Sequence, residues 1–401
     1  MGKAFMGLNM NAAIATTNES NLFGATLNTT ESVMQYEATE AATFTRLRTA
    51  ISAGGSGTNT CQFRVNGANG NLAAVGAGTG VQEDTANKDV LAATDLFNLA
   101  FTDTGTDPTY SNARAVVEFA SGHGCFYAAS DPVVFDVAST TVFLPLGGNL
   151  VADGTTTEAN VAFRVRGHDT FEALQVRVTA NARTNDSTVK NRIAAADGTA
   201  SITIGAGLTG IFKATGLGDA IADGNAVCAS LTLGTGVEDL TISICGATLK
   251  SSTGFKSESW CGSAGGTSRT ASATAHHFMI CGTLVTLSSA AAESVRQVPL
   301  GFVATVSKLR AYVTANTYTG NCTLAVRRNG ADVITLTITA GATGWQENTT
   351  DTAAFLPEDL INFQIDEGTA NSITITMVGI TIDSTPRIVP IVDYLQRRMA
   401  A

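Results

Sequence analysis

Over residues 307–314 the chain alternates Leu309, Ala311 and Val313 with Lys308, Arg310 and Tyr312, the period-two pattern of a strand with one face buried. Residues 322–328 repeat it with Cys322, Leu324 and Val326 on one side. Asn329-Gly330 then supplies the turn residues of a two-residue hairpin, and residues 333–339 alternate Ile334, Leu336 and Ile338 with Thr335 and Thr337. Gly341 and Gly344 make the next turn. Pro357-Glu-Asp359 leads into a strand over 360–365, and a last strand places Ile373, Ile375 and Met377 on one face, then Ile380 and Ile382 after Gly379. A glycine-centred bulge accounts for that change of parity, and Gly246 predicts the same after Leu240, Ile242 and Ile244. No stretch keeps a helical period, so the pattern predicts an all-β, two-sheet antiparallel sandwich of jelly-roll type.

The same succession occurs three times. Val75-Gly-Ala-Gly-Thr-Gly-Val81, Ile204-Gly-Ala-Gly-Leu-Thr-Gly-Ile211 and Ile338-Thr-Ala-Gly-Ala-Thr-Gly-Trp345 are copies of one turn. Upstream, Glu31, Glu158 and Glu293 each precede, at equal spacing, the matching residues Phe44, Phe171 and Val306. Downstream, Asp95-Leu-Phe-Asn and Asp359-Leu-Ile-Asn match. The repeat predicts three tandem sandwiches from a triplication, over 1–122, 123–252 and 253–383, followed by a tail over 384–401. Each sandwich is expected to hold its own core. The apolar runs Phe5-Met-Gly-Leu8, Cys125-Phe-Tyr127 and Phe278-Met-Ile280 read as first strands. Residues 122–160 and 251–292 join the copies, and Gly262-Ser-Ala-Gly-Gly-Thr-Ser-Arg within the second reads as a linker or exposed loop. Copy two lacks the Asn-Gly hairpin, and no last strand can be placed in copy one after Asp103.

Composition narrows the function. Of 401 residues 44% are hydrophobic and only 14% charged, with 40 glycines and a formal charge of −10. An acidic, charge-poor chain lacks the basic footprint that nucleic acid or an anionic membrane requires, so neither is an expected partner. No apolar run reaches the length of a membrane span and no secretory leader is evident, which predicts a soluble protein made in a cytosol.

Candidate chemistry is sparse. No nucleophile elbow, zinc-protease motif or phosphate loop occurs, and neither a catalytic residue, a cofactor nor a metal is expected. His276-His277 lie near Cys261 and Cys281, but neighbours on a strand point to opposite faces. The seven cysteines match no metal spacing and read as buried thiols. Glu31, Glu158 and Glu293 are the charged position common to all copies; an edge-strand charge is the expected role, a calcium ligand the alternative. Trp345 aligns with Val81 and Ile211 and reads as core. In the tail, Ile391 and Leu395 fall on one face of a short helical stretch followed by Arg397 and Arg398, a candidate partner-docking arm.

The Asn-Gly hairpin, the threonine-alternating strand, the Ala-Gly-x-Thr-Gly turn and the Asp-Leu-x-Asn strand together resemble small jelly-roll domains in structural proteins of tailed bacteriophages, of the capsid decoration or cement type. The resemblance implies a virion component, made in the host bacterial cytoplasm, that binds the major capsid protein or another virion protein across adjacent capsomers. A tail, collar or head-fibre component is the alternative within that class, and a carbohydrate-binding protein for a host-surface glycan the alternative outside it. Pattern alone leaves open whether the copies form a compact triangle or an extended rod.

Overall fold

The computed structural model describes residues 2–14, 17–20, 22–23, 27–54, 56–105, 107–119, 124–270, 275–284, 293–366 and 372–384. Each third of the chain supplies two sheets. In copy one the strands Gly2–Ala13, Thr109–Phe119, Ala42–Ala53 and Gly80–Asp84 lie side by side in that order; Asn18–Ser20, Leu96–Asp103, Thr58–Val65 and Ala68–Ala77 form the facing sheet. Counted along the chain, the sheets run first-eighth-third-sixth and second-seventh-fourth-fifth, the jelly-roll order.

Copy two repeats it with Gly124–Phe135, Leu240–Lys250, Thr170–Asn181 and Gly210–Ala220 facing Thr141–Leu144, Ala226–Thr232, Ser187–Ile193 and Ala196–Ile204. Copy three does so with Lys256–Thr270, Ser372–Asp383, Ala304–Asn316 and Gly344–Phe355 facing His276–Phe278, Leu360–Asp366, Cys322–Arg328 and Ala331–Ile338. The all-β jelly-roll expectation therefore holds. Gly78, Gly207 and Gly341 all sit between the fifth and sixth strands with φ of 72°, 70° and 73°, a left-handed conformation that explains their recurrence.

Several local expectations are corrected. The first strand of copy three is Lys256–Thr270, so the glycine-serine stretch taken for a linker pairs with Ser372–Asp383, and Phe278 ends the second strand. The joins between copies are correspondingly short: Phe119 to Gly124 and Lys250 to Lys256. Thr109–Phe119 is the missing last strand of copy one. Copy two keeps the fourth-to-fifth hairpin without Asn-Gly, holding Ala194 and Ala195 at φ of 50° and 64°.

The parity change in the eighth strand arises not at Gly246 or Gly379 but three residues earlier. Ser111, Ser243 and Thr376 are the residues skipped in the pairing with the third strand. All three are buried polar residues.

The cores are not self-contained. Buried apolar residues of copies one and two form one continuous cluster, in which Phe126 lies 5.8 Å from Tyr36, 6.0 Å from Phe97 and 4.9 Å from Phe119. The cluster of copy three takes in Phe5 and Val116 of copy one. Burial therefore extends to the outer face of each first-eighth-third-sixth sheet, where another copy packs.

Candidate functional site at the seams between copies

The charged position shared by the copies has a structural partner. Glu31 opens the short helix Glu31–Met34, and Glu158 and Glu293 open the equivalent turns Glu158–Asn160 and Glu293–Val295. Each carboxylate accepts from an arginine on the fourth strand: Arg64 Nε at 2.7 Å, Arg192 Nε at 3.1 Å and Arg327 Nε at 2.6 Å. The same guanidinium donates to the hairpin carbonyl of Gly67, Ala195 or Gly330. This pair ties the connection between the second and third strands to the hairpin tip, and it replaces both the edge-charge and the calcium readings. A signal was available in the sequence, because each glutamate is followed at nearly constant separation by an arginine just ahead of the hairpin turn.

The segment after that glutamate makes the seams. Residues 35–40 of copy one lie on the outer sheet face of copy two: Tyr36 Oη donates to Ala247 O at 3.4 Å, Gln175 Nε2 to Glu37 O at 2.9 Å, and Arg177 Nη1 to Gln35 O at 3.1 Å. Residues 163–168 of copy two lie on the same face of copy three, with the Phe163 ring stacked on Trp260 at 4.5 Å. Residues 298–302 of copy three close the circle on copy one, where Gly301 lies against Arg46 and Val116 and Leu300 and Phe302 share a cluster with Phe5. Ser384 Oγ also exchanges hydrogen bonds with the backbone of Lys3. Each copy touches both others, and the chain is a closed head-to-tail ring rather than a rod.

The glycines of the eighth strand serve these contacts. A Cβ on Gly246 would stand 2.5 Å from the Tyr36 ring, and one on Gly379 would stand 2.6 Å from the Trp260 ring. In copy one the equivalent residue is Arg114, and there Gly7 on the neighbouring first strand is the small one. Bulk is thus placed differently at each seam.

Charge is placed differently as well. Glu37 meets Lys213 at the seam of copies one and two. At the equivalent positions of the next seam the signs are reversed: Arg164 meets Glu347 at 2.9 Å, and Arg166 reaches the same carboxylate at 2.5 Å. Burial acts to raise the Glu347 pKa, but the two arginines outweigh it and hold the carboxyl below its ordinary value. Beneath them Glu258, fully buried, pairs with Arg310 and accepts from the backbone N–H of Arg166 at 2.9 Å and of Gly167. At the third seam Pro299 occupies the matching place opposite Glu83, which is held instead by Arg46 of its own copy at 2.5 Å. His168, buried at the second seam, has its pKa lowered to about 3 by burial, so it stays neutral.

The first strands converge at the centre. Phe5-Met6-Gly7, Phe126-Tyr127-Ala128 and Glu258-Ser259-Trp260, equivalent triplets, line one cavity of about 40 Å³, room for a water or two on the pseudo-three-fold axis.

Other residues singled out from sequence fall as follows. Ile391, Leu395, Arg397 and Arg398 lie outside the described residues. His276 is buried, and His277 Nδ1 stands 3.9 Å from Glu293 and 3.3 Å from Asn362 Nδ2. Among the described residues no three His, Cys, Asp or Glu side chains gather as a metal site would require. All seven cysteines are buried, and burial raises the pKa of Cys125, Cys245 and Cys281 to about 12.

Trp345 is not core. It is half-buried, its ring 5.3 Å from Tyr312 and 5.2 Å from the Arg164 guanidinium of copy two. Tyr312 and Trp345 line a cleft of about 620 Å³ at the second seam.

No family model matches the chain, and no curated protein sequence does so. Among solved structures, the major capsid protein P2 of bacteriophage PM2 aligns with 63% of this chain and 100% of its own, at 11% identity and a TM-score of 0.21. A structure described as the triple jelly roll fold and turret assembly in an archaeal virus aligns with 95% of this chain and 91% of its own, at 11% identity and a TM-score of 0.19. A xanthan lyase from Paenibacillus aligns with 86% of this chain and 51% of its own, at 10% identity and a TM-score of 0.19. Likenesses of this size carry no argument about the chain, whose jelly-roll assignment rests on its own strand order.

Proposed function

We propose that this chain is a virion structural protein, a single-chain pseudo-trimer that decorates a capsid by seating where three capsomers meet. The observation that carries the reading is the closed head-to-tail ring. Three homologous sandwiches held around one axis present three related surfaces at fixed spacing, the arrangement that matches a three-fold or quasi-three-fold site. Linking them in one chain makes the second and third contacts intramolecular, so modest individual contacts add up to firm attachment. Because the copies differ in sequence, they suit sites whose three boundaries are not identical.

The role is one of binding by shape, without catalysis. The buried charges found at the second seam are committed to Glu258–Arg310 and to the Glu347 pairs, which serve the ring itself. Reconstruction of particles carrying the protein tests the proposal: one chain per three-fold or quasi-three-fold position, in contact through all three copies, is expected. A chain projecting on a single copy, as a fibre or collar element does, contradicts it.

A further inference from the structure

We infer that the cleft between copies two and three is a binding site for a neutral oligosaccharide. Its volume of about 620 Å³ falls in the ~300–1,000 Å³ range of small-ligand sites. The cleft exists because copy two has been pared down at this place. Ala162, Ala194, Ala195 and Ala226 line it. The corresponding residues are Gln35, Asn66, Gly67 and Leu96 in copy one, and Gln297, Asn329, Gly330 and Leu360 in copy three. Three of those four positions thus carry a larger side chain in both other copies, and the cost in copy two includes two alanines at positive φ.

The opposite wall is enlarged in complement. Tyr312 and Trp345 stand where copy one has Ala50 and Val81 and copy two has Arg177 and Ile211. In a chain with only 2 Trp and 6 Tyr, one of each is placed half-buried, side by side, on this cleft.

The lining fixes the class of occupant. A cation would face the Arg164 guanidinium, already over the Trp345 ring, and an anion would face Glu158. Each of these charges is neutralised within the protein, Arg164 by Glu347 and Glu158 by Arg192. A wholly apolar occupant would strip water from both pairs without replacing its hydrogen bonds. What remains is an uncharged molecule with apolar faces for the two rings and hydroxyl or amide groups for Arg164 and Glu158, which describes a sugar chain.

The inference does not rest on the proposed virion role. Its test is titration of the full chain with cellotetraose, maltotetraose and tri-N-acetylchitotriose, read by tryptophan fluorescence and calorimetry, with tri-galacturonate as the charged control. At least one neutral probe is expected to bind at a single site and to perturb Trp345. The variants Trp345→Ile, Ala162→Gln and Ala226→Leu install residues that other copies carry at the same places, so each should melt as the parent does. Each should also weaken binding at least tenfold. No binding by any neutral probe at millimolar concentration, undiminished binding in the three variants, or preference for tri-galacturonate would each overturn the assignment.

Discussion

Two arginines are buried to the same degree on equivalent sheet faces and are treated in opposite ways. Arg310, 1% exposed, pairs with Glu258 and also donates to the backbone of Arg164 at 2.7 Å and of Lys308 at 2.8 Å. Arg114, 2% exposed, has no hydrogen-bond partner for any of its three guanidinium nitrogens among the described residues. Its nearest carboxylate oxygen, on Glu83, is 3.7 Å away, and it lies over the Phe5 ring at 5.7 Å. Burial, followed by the charge of Arg48, pushes its pKa well down. The second seam is therefore a polar lock, while the third, which has the Ser384–Lys3 bonds and an Arg46–Glu358 pair at 3.9 Å, also buries a charge that lacks a hydrogen-bond partner among the described residues, at a cost. Three seams of common descent have been specialised separately, which a single chain permits and a symmetric trimer does not.

The largest test of that contrast is Glu258→Ala. It leaves Arg310 uncompensated and removes the acceptor for two backbone amides, so unfolding in denaturant should show a loss of roughly 3–5 kcal/mol. A loss below about 1 kcal/mol would mean that the second seam is not held by this lock. At the third seam the sign should reverse. Arg114→Met fits the same apolar surroundings, and Glu83 keeps Arg46, so a gain of about 1–3 kcal/mol is expected. Destabilisation by Arg114→Met would show that the two arginines are not opposites.

Smaller changes sharpen the picture. Ala195→Gly relieves a left-handed alanine that copies one and three avoid by using Gly67 and Gly330, and should raise stability by about 1 kcal/mol in the same assay. At the first seam, Lys213→Glu faces Glu37 with a like charge. Screening by solvent limits the expected loss to ~0.5 kcal/mol, and the double variant Glu37→Lys with Lys213→Glu should recover it. A double-mutant cycle showing no recovery would remove charge as a discriminator between the seams.

How much could be read from sequence follows from which faces are buried. Strands with one wet face alternate, so Cys322–Arg328, the hairpins and the glycine turns were legible together with the repeat register. First and eighth strands are covered on both faces, by their own core and by a neighbouring copy, and alternation disappears there. Residues 124–130 and 242–249 are buried without interruption. That is why Thr109–Phe119 went unplaced, whereas the glycine-serine run in Lys256–Thr270 passed for a linker on its composition. Glycines 246 and 379 looked like backbone irregularities because the side chains they accommodate, Tyr36 and Trp260, lie far away in sequence. Trp345 looked like core because it was compared only with its counterparts, and the cleft beside it is made by alanines of another copy.

Small-angle scattering of the free chain in dilute solution tests the central claim, the closed ring, most directly. A compact particle of this length should give a radius of gyration of about 22 Å and a single-peaked distance distribution. A radius well above about 30 Å, with a distribution tailing to the length of three sandwiches in line, would contradict the ring and with it the seams from which the account is built.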